Sequence, residues 1–225
     1  NVYRDEHSGN NITGEGFGFK QNVIGGQSFD PYSIQYTGDI TAVNSTIEAN
    51  NFYNEASLNL DNAKYKANYL VSITRIRDEG IVAKNKSDVS LKAAYIYDAK
   101  KEVLIHADDT SSIKMNGLVV SNSKVDIRNA TITTRIDAQD NATVKLDKWT
   151  HQDTNLWSDD SSSFEIDSLS AKAGGHIKAR VSVNDELRIF ANGNRYNLHA
   201  NSLTLGSNST LKADLASDAM SVHNL

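Results

Sequence analysis

The stretch "SKVDIRNATITTRIDAQDNATVKLDKW" (Ser123–Trp149) repeats one short phrase in a loose form. It opens with "SKVDIRNAT" and closes with "NATVKLDKW", and in each phrase a small polar residue precedes apolar and polar residues in alternation. Alternation with a period of two is typical of a β-strand with one buried face. Because the phrase recurs with different residues of similar volume, it indicates stacked strands whose packing tolerates substitution.

Related phrases run along most of the chain, including "ASLNLDNAKY", "SDVSLKAAYI", "SSIKMNGLVV", "SSFEIDSLSA" and "STLKADLASD". Their first apolar positions lie 20 to 31 residues apart in a series of selected phrases, namely Val89, Ile113, Val144, Phe164, Leu187 and Leu211. Short strands at this period predict an all-β chain folded as a right-handed parallel β-helix of roughly ten rungs. The residues predicted to stack inside it are Val125, Ile127, Val144, Leu146, Phe164 and Ile166.

Two other architectures fit the alternation. An antiparallel sandwich would need hairpin turns, and "MNGL" (Met115–Leu118) and "ANGN" (Ala191–Asn194) have the Asn-Gly signal for them. A trimeric intertwined fibre is the other alternative. For the β-helix, we predict that residues 1–37 form an irregular N-terminal segment or cap, rich in Gly and aromatics, and that residues 38–225 form the solenoid.

Composition excludes several classes of function. The 225 residues have a formal net charge of -5 and no long basic stripe, so we expect no nucleic-acid partner. Cysteine is absent, which excludes disulfides and thiolate metal sites. No apolar run approaches the roughly 18 residues of a membrane span, and no signal segment opens the chain. We expect the chain to be a mature product or an excised piece of a longer protein.

The segment "DKWTHQDTNLWSDDSS" (Asp147–Ser162) contains both tryptophans of the chain. Aromatic rings bracketed by carboxylates and an imidazole suit a surface that binds a sugar or a protein, because the rings stack while the acids orient polar groups. The candidate ligand-binding residues are Asp147, Trp149, His151, Asp153, Trp157, Asp159 and Asp160. In the alternative interpretation, one tryptophan fills the solenoid interior and the acids solvate a bend.

Other chemistry has less support. "ADDTSS" (Ala107–Ser112) and "SDDSSS" (Ser158–Ser163) pair aspartates next to serines, but neither has the spacing of a calcium loop, and solvated turns are the simpler interpretation. The six histidines are scattered, and neither HExxH nor G-x-S-x-G occurs. No sequence pattern positions two carboxylates for glycoside hydrolysis. We therefore assign no catalytic residue, no metal and no cofactor.

Phrases such as "ASLNLDNAKYKAN", "SKVDIRNATITT" and "NSLTLGSNSTLKADL", together with the absence of Cys and a single proline, Pro31, resemble the passenger domains of bacterial autotransporters. The resemblance covers roughly residues 38–225. It rests on composition and on the general pattern of the phrases rather than on one diagnostic motif. It implies a β-helix at the bacterial cell surface or in secreted form. Passengers of this family include adhesins, vacuolating cytotoxins and serine proteases mounted on a β-helical stem. The GDSGS-type segment of the protease branch does not occur in this sequence.

These observations predict a non-catalytic adhesin segment. Its expected partners are a host extracellular matrix protein, a surface glycan, or identical rods on neighbouring cells, which would cause aggregation and biofilm growth. The alternative is the β-helical stem or receptor-binding region of a secreted autotransporter toxin or serine protease.

Overall fold

A computed structural model describes residues 12–15, 18–21, 35–36, 40–49, 53–54, 57–73, 80–149, 155–171, 177–190, 199–214 and 221–224. Within these residues there are 23 β-strands and no helix. The first twelve are β1 Ile12–Glu15, β2 Gly18–Gln21, β3 Gln35–Tyr36, β4 Ile40–Val43, β5 Thr46–Ala49, β6 Tyr53–Asn54, β7 Leu58–Asp61, β8 Lys64–Ile73, β9 Ile81–Lys84, β10 Asp88–Tyr97, β11 Val103–Ala107 and β12 Ser112–Ser121. The others are β13 Lys124–Arg128, β14 Ala130–Gln139, β15 Thr143–Trp149, β16 Asn155–Ser158, β17 Ser163–Ala171, β18 Ile177–Lys178, β19 Arg180–Val183, β20 Glu186–Phe190, β21 His199–Leu205, β22 Thr210–Asp214 and β23 Ser221–Asn224.

The strands form two long sheets, and every pairing between described strands is parallel. The first sheet follows the order β1-β4-β7-β9-β11-β13-β15-β17-β19-β21-β23, with β20 pairing β17 and β22. The second follows β18-β16-β14-β12-β10-β8-β5-β2, and β3 pairs β6 separately. From β7 to β19 consecutive strands thus alternate between the two sheets, which is the winding of a parallel β-solenoid. The predicted all-β parallel β-helix is confirmed, and an antiparallel sandwich is excluded for the described residues.

The predicted columns of inward residues are confirmed. Val125 pairs with Val144 and Val144 with Phe164, while Ile127 pairs with Leu146 and Leu146 with Ile166. All six of these side chains are buried. Burying apolar area contributes about 25 cal/mol per Å², so a continuous stack of this kind is the main favourable term in the stability of a solenoid.

Left-handed backbone conformations recur at the bends between strands. Most of the non-glycine residues with positive φ are Asn or Asp, which tolerate this region better than other residues. They lie at successive bends: Asn44, Asn62, Asn85, Asp98, Asn122, Asn129, Asp140, Asn141 and Asn208. Some of them also form rung-to-rung bonds, since Asn62 Nδ2 donates to Asn44 Oδ1 at 2.6 Å.

The long strands of the second sheet bend in the middle, which gives the solenoid three outer faces. In β10, Val89 and Leu91 point inward, two residues in a row then leave the core, and Ala94 and Ile96 resume the inward alternation. β12 and β14 break phase at the same level, with a register shift between Met115 and Gly117. We call the outer surface of the first sheet face A. Face B is formed by residues 88–91, 112–115 and 130–132, and face C by residues 93–97, 117–121, 135–139 and 155–158.

Three predicted details differ from the structure. The first sheet stacks eleven strands from β1 to β23 within the described residues, slightly more than the roughly ten rungs predicted. The series from Val89 to Leu211 is not one column, because Val89 and Ile113 pair in the second sheet whereas Val144 lies in the first. "MNGL" lies inside β12 and forms no hairpin, since polar Asn116 and Gly117 occupy the bend between faces B and C. "ANGN" falls outside the described residues.

The strands of the N-terminal segment that are described already belong to the two sheets. β1 pairs with β4 and β2 pairs with β5, both in parallel. The cap over residues 1–37 and the boundary at residue 38 stay predictions. Within the described part of the chain, no helix has the length and apolar character needed to cross a membrane.

Candidate functional site

Of the seven predicted ligand-binding residues the structure describes five, and it does not bring these five together at one surface. Asp147 and Trp149 lie at the end of β15, Trp157 lies in β16, and Asp159 and Asp160 lie in the turn after β16. His151 and Asp153 fall outside the described residues. The five that are described point in different directions, so each is considered separately.

Trp149 belongs to the core. Its side chain is 4% exposed, and it pairs with Leu169 of β17. Its indole Nε1 has no hydrogen-bond partner in the part of the chain that the structure describes. The Trp149 ring therefore fills the solenoid interior and is not available for stacking on a ligand at the surface.

Asp147 stabilises a bend. Its Oδ2 accepts a hydrogen bond from the backbone N–H of Asn129 at 2.7 Å, and its Oδ1 accepts one from the N–H of Lys148 at 2.8 Å. Asn129 has a φ of 52°, so its N–H points away from the regular ladder and needs a side-chain acceptor. One oxygen of this carboxylate thus serves the bend between β13 and β14, and the other bonds the neighbouring amide within β15.

Asp159 has a comparable role one bend further on. Its Oδ2 accepts from the N–H of Asp140 at 2.7 Å, and its Oδ1 accepts from the N–H and Oγ of Ser161 at 3.0 and 2.8 Å. Partial burial raises the pKa of Asp159, but the bonds from Asp140, Ser161 and Ser162 outweigh it and lower the pKa to about 2. Asp160, next to it, is exposed.

The other paired-aspartate segment repeats this geometry. Asp108 Oδ2 accepts from the N–H of Asn85 at 2.7 Å, and its Oδ1 accepts from the N–H of Thr110 at 2.9 Å. The bonds from Asn85, Ser111 and Thr110 hold the pKa of Asp108 well below its usual range. Carboxylates that face N–H donors are poor cation ligands. Among the described residues, no group of three or more His, Asp or Glu side chains is arranged to hold a metal ion.

Trp157 lies on face C, in a partly exposed column in which Asp137 occupies the rung between Val119 and Trp157. We define the aromatic strip as Tyr95, Tyr97, Val119 and Trp157. Tyr95 pairs with Val119, and one rung separates Val119 from Trp157. The strip points outward because the residues between its members, such as Ile96 and Val120, occupy the core.

The strip has fixed geometry. The rings of Tyr95 and Tyr97 stack with centroids 6.3 Å apart and an interplanar angle of 9°. Burial, and to a lesser extent Tyr95, raises the pKa of Tyr97. The Arg135 guanidinium lies 5.6 Å from the centroid of the Trp157 ring and forms an ion pair with Asp137. These contacts hold the rings in place, so a ligand meets a surface that is already ordered.

Tyr95, Tyr97 and Arg135 are not among the candidates predicted from the sequence. A signal for the tyrosines is present in "AAYIYD", since two aromatics that flank an inward Ile must share the outer side of a strand. Arg135 has no comparable signal. Its position over Trp157 depends on the register of β14 against β16, which places Arg135 opposite Asn155.

A concave surface, which we call the lysine groove, lies at the bends that follow face C. This lysine groove has a volume of about 530 Å³ and is formed where β10, β12 and β14 turn toward the first sheet. Its charged lining residues are Lys100, Lys101, Glu102, Lys124 and Lys145. The other residues that line it are small or uncharged. Tyr97 of the aromatic strip precedes the loop of the groove by one turn residue, Asp98, so the two surfaces are contiguous along the chain.

Comparisons with known proteins find short similarities. No protein-family model matches the chain, and no solved structure matches it. The serine protease EspP of Escherichia coli is 53% identical over 46 residues, which is 20% of this chain and 3% of EspP. The serine protease EspC of Escherichia coli O127:H6 is 44% identical over 46 residues, which is 20% of this chain and 4% of EspC. The match thus spans only about 3 to 4% of these relatives.

The fold and these partial homologies together support an origin of the chain in the passenger of an autotransporter. A segment of 46 residues carries no evidence for catalysis by this chain.

Proposed function

We propose that this chain is a non-catalytic segment of a bacterial surface adhesin, located at the cell surface or secreted, that attaches cells to host matrix or glycans or to each other. The observation that carries the proposal is the aromatic strip on face C. A solenoid core accommodates large apolar side chains, as Trp149 and Phe164 illustrate. Aromatic rings held on the outside are therefore more consistent with binding than with folding.

The rigidity of the fold supports the same proposal. Rungs about 4.8 Å apart hold Tyr95 and Trp157 about 14 Å from each other along the axis, three rungs apart. This spacing lets an extended sugar or peptide contact both rings at once, and repetition along a rod adds weak contacts by avidity. Among the predicted ligand-binding residues, Trp157 belongs to this surface and Asp159 and Asp160 follow it within three residues, and these three stay candidates.

The test uses cells that display the full chain. We expect attachment to immobilised matrix proteins or glycans, and the double substitution Tyr95→Ala with Trp157→Ala should weaken it at least tenfold, since aromatic anchors dominate such contacts. Ser90→Ala with Lys114→Ala is the matched control, because both residues are exposed on face B. Sedimentation velocity of the purified chain tests association between rods. If the chain neither binds these surfaces nor self-associates, the proposal is wrong.

The matches to two serine proteases favour one alternative function, the β-helical stem or receptor-binding region of a secreted protease or toxin. The sequence encoded upstream of this chain distinguishes the two. A GDSGS-containing domain there, with protease secretion that depends on this segment, would favour the stem. A binding function that persists in the isolated chain would favour the adhesin.

A further inference from the structure

The lysine groove concentrates positive charge on a chain that is acidic as a whole. Four lysines and one glutamate line it, so its side chains sum to +3, whereas the whole chain has a formal net charge of -5. Lys100, Lys101 and Lys124 are exposed. Like charges gathered in one concavity raise the local potential and attract an anion.

The loop that forms one wall of the groove is anchored to the next rung. The backbone N–H of Ala99 donates to Ser123 Oγ at 2.9 Å, and the N–H of Asp98 donates to the Ser121 carbonyl at 3.0 Å. Asn122 Nδ2 donates to Asp98 Oδ1 at 2.7 Å, which occupies one oxygen of the nearest loop carboxylate. The ammonium groups therefore extend from a backbone that is already fixed.

The single glutamate of the lining is itself paired. Lys145 Nζ donates to Glu102 Oε1 at 2.7 Å. This bond is the main cause that raises the pKa of Lys145, and Glu165 and Asp126 contribute at longer range. Over the whole lining, lysines outnumber acids by four to one, so an incoming anion meets a net positive lining.

We propose that the lysine groove binds an acidic polysaccharide that carries sulfate or carboxylate groups on successive sugars. This inference rests on the proposed function, since it names the chemical class of one adhesin ligand. The groove volume of about 530 Å³ lies in the range of small-ligand sites, so it accepts a sugar unit with its acidic group. The neighbouring ring of Tyr97 offers the next sugar a stacking surface.

The experiment measures binding of the purified full chain to immobilised heparin at several NaCl concentrations. We expect binding that weakens steeply with salt, because each anion–lysine contact releases about one counterion. Lys100→Gln with Lys101→Gln should weaken binding at least tenfold and reduce the slope of log K against log salt by about two. Lys84→Gln with Lys114→Gln removes the same charge from exposed positions outside the groove and should change binding less than twofold.

Other probes identify the ligand chemistry. Desulfated heparin, which keeps its carboxylates, should bind more weakly than heparin but more tightly than neutral dextran. No binding to heparin at low salt, or an equal loss in the two lysine pairs, would overturn the proposal. Tighter binding to phosphatidylserine vesicles than to heparin would overturn it as well, since it would indicate a membrane surface as the partner.

The two proposals fail in different ways. If displayed cells adhere to matrix or glycans and the Lys100→Gln, Lys101→Gln variant adheres as well as the wild type, the groove inference is wrong while the adhesin proposal stands. If purified chain binds heparin through the groove but displayed cells attach to nothing, the adhesin proposal is wrong while the groove inference stands.

Discussion

The Ser162 hydroxyl accepts a hydrogen bond from the backbone N–H of Ala142, 20 residues earlier in the chain, at 3.0 Å. The Ser111 hydroxyl does the same for the N–H of Ser87, 24 residues earlier. In both cases a side chain of one rung completes the hydrogen bonding of a bend in the rung before it. A bend that leaves the ladder would otherwise expose unpaired N–H groups.

The same segment caps three successive amides. Asp159, Ser161 and Ser162 accept from the N–H groups of residues 140, 141 and 142. The bend that they cap has two consecutive left-handed residues, at φ 55° and 63°. The sequence Asp-x-Ser/Thr-Ser therefore links neighbouring rungs through side-chain hydrogen bonds to backbone N–H groups. The chain uses it at two different bends, after β11 and after β16.

Asp159→Asn should destabilise the chain. The side-chain NH₂ group of the variant would face the N–H of Asp140, so two donors would meet. We expect the free energy of unfolding to fall by about 1 kcal/mol. This is the lower end for a hydrogen bond to a charged group, because the site is partly exposed. A carboxyl whose pKa is lower in the folded state stabilises the fold fully at pH values above its unfolded pKa of about 3.9. That stability disappears as the pH falls through the folded pKa of about 2. The urea midpoints of the wild type and of the Asp159→Asn variant should thus converge as the pH falls from about 4 to about 2.

Asp160→Asn serves as the control for this prediction. It removes the same charge from the exposed neighbouring position. Its urea midpoint at neutral pH should stay close to that of the wild type. Equal destabilisation by the two substitutions would contradict the capping role of Asp159.

The two tryptophans should respond differently to substitution and to quenchers. Trp149→Ala leaves a large cavity and should cost about 3–5 kcal/mol. Trp157→Ala removes an outer contact with Arg135 and should cost about 1 kcal/mol. In Trp157→Phe the remaining indole should emit at shorter wavelength and resist iodide, whereas in Trp149→Phe iodide should quench the emission. Equal quenching in both variants would contradict the burial of Trp149.

Gly80→Ala should be strongly destabilising because the site has no room for a methyl group. A Cβ there would overlap Val103 Cγ1 and lie 2.6 Å from the Leu104 carbonyl oxygen. Overpacking of this kind costs about 1–3 kcal/mol, and here one neighbour is backbone that cannot rotate away. The measurement is the thermal midpoint by circular dichroism.

Gly117→Ala is the matched substitution in open space. The nearest atom to its Cβ would be the Arg135 carbonyl oxygen at 3.9 Å. We expect an unchanged midpoint or a gain of about 0.5 kcal/mol, since alanine restricts the unfolded chain. A loss at residue 117 as large as that at residue 80 would mean that strand propensity, rather than space, decides both results.

The columns of the core could be predicted because alternation is a local property. Val125, Ile127, Val144 and Leu146 are each flanked by polar residues, and the structure stacks them as predicted. The assignment of phrases to sheets could not be predicted. Strands on both sheets have the same alternation, so Ile113 of the second sheet and Val144 of the first look equivalent in sequence.

The burial of Trp149 also depends on a bend. Alternation continued from Val144 and Leu146 would place Lys148 inside and Trp149 outside. The bend at Asp147 reverses the phase, so Lys148 is exposed and Trp149 is buried. At this point Asp147 accepts the N–H of a residue in the previous rung, a contact that the sequence does not reveal. Trp149 could therefore not be separated from the surface candidates by sequence alone.

Asn122 allows the contributions of backbone conformation and side-chain bonding at a bend to be separated. Its φ is 45°, and its Nδ2 donates to Asp98 Oδ1 at 2.7 Å. Asn122→Gly keeps the left-handed conformation but loses the bond, so we expect a cost of about 1 kcal/mol. Asn122→Ala loses the bond and adds left-handed strain, so it should cost about 1–2 kcal/mol more. Urea unfolding of both variants measures the difference, and equal midpoints would show that conformation adds nothing at this bend.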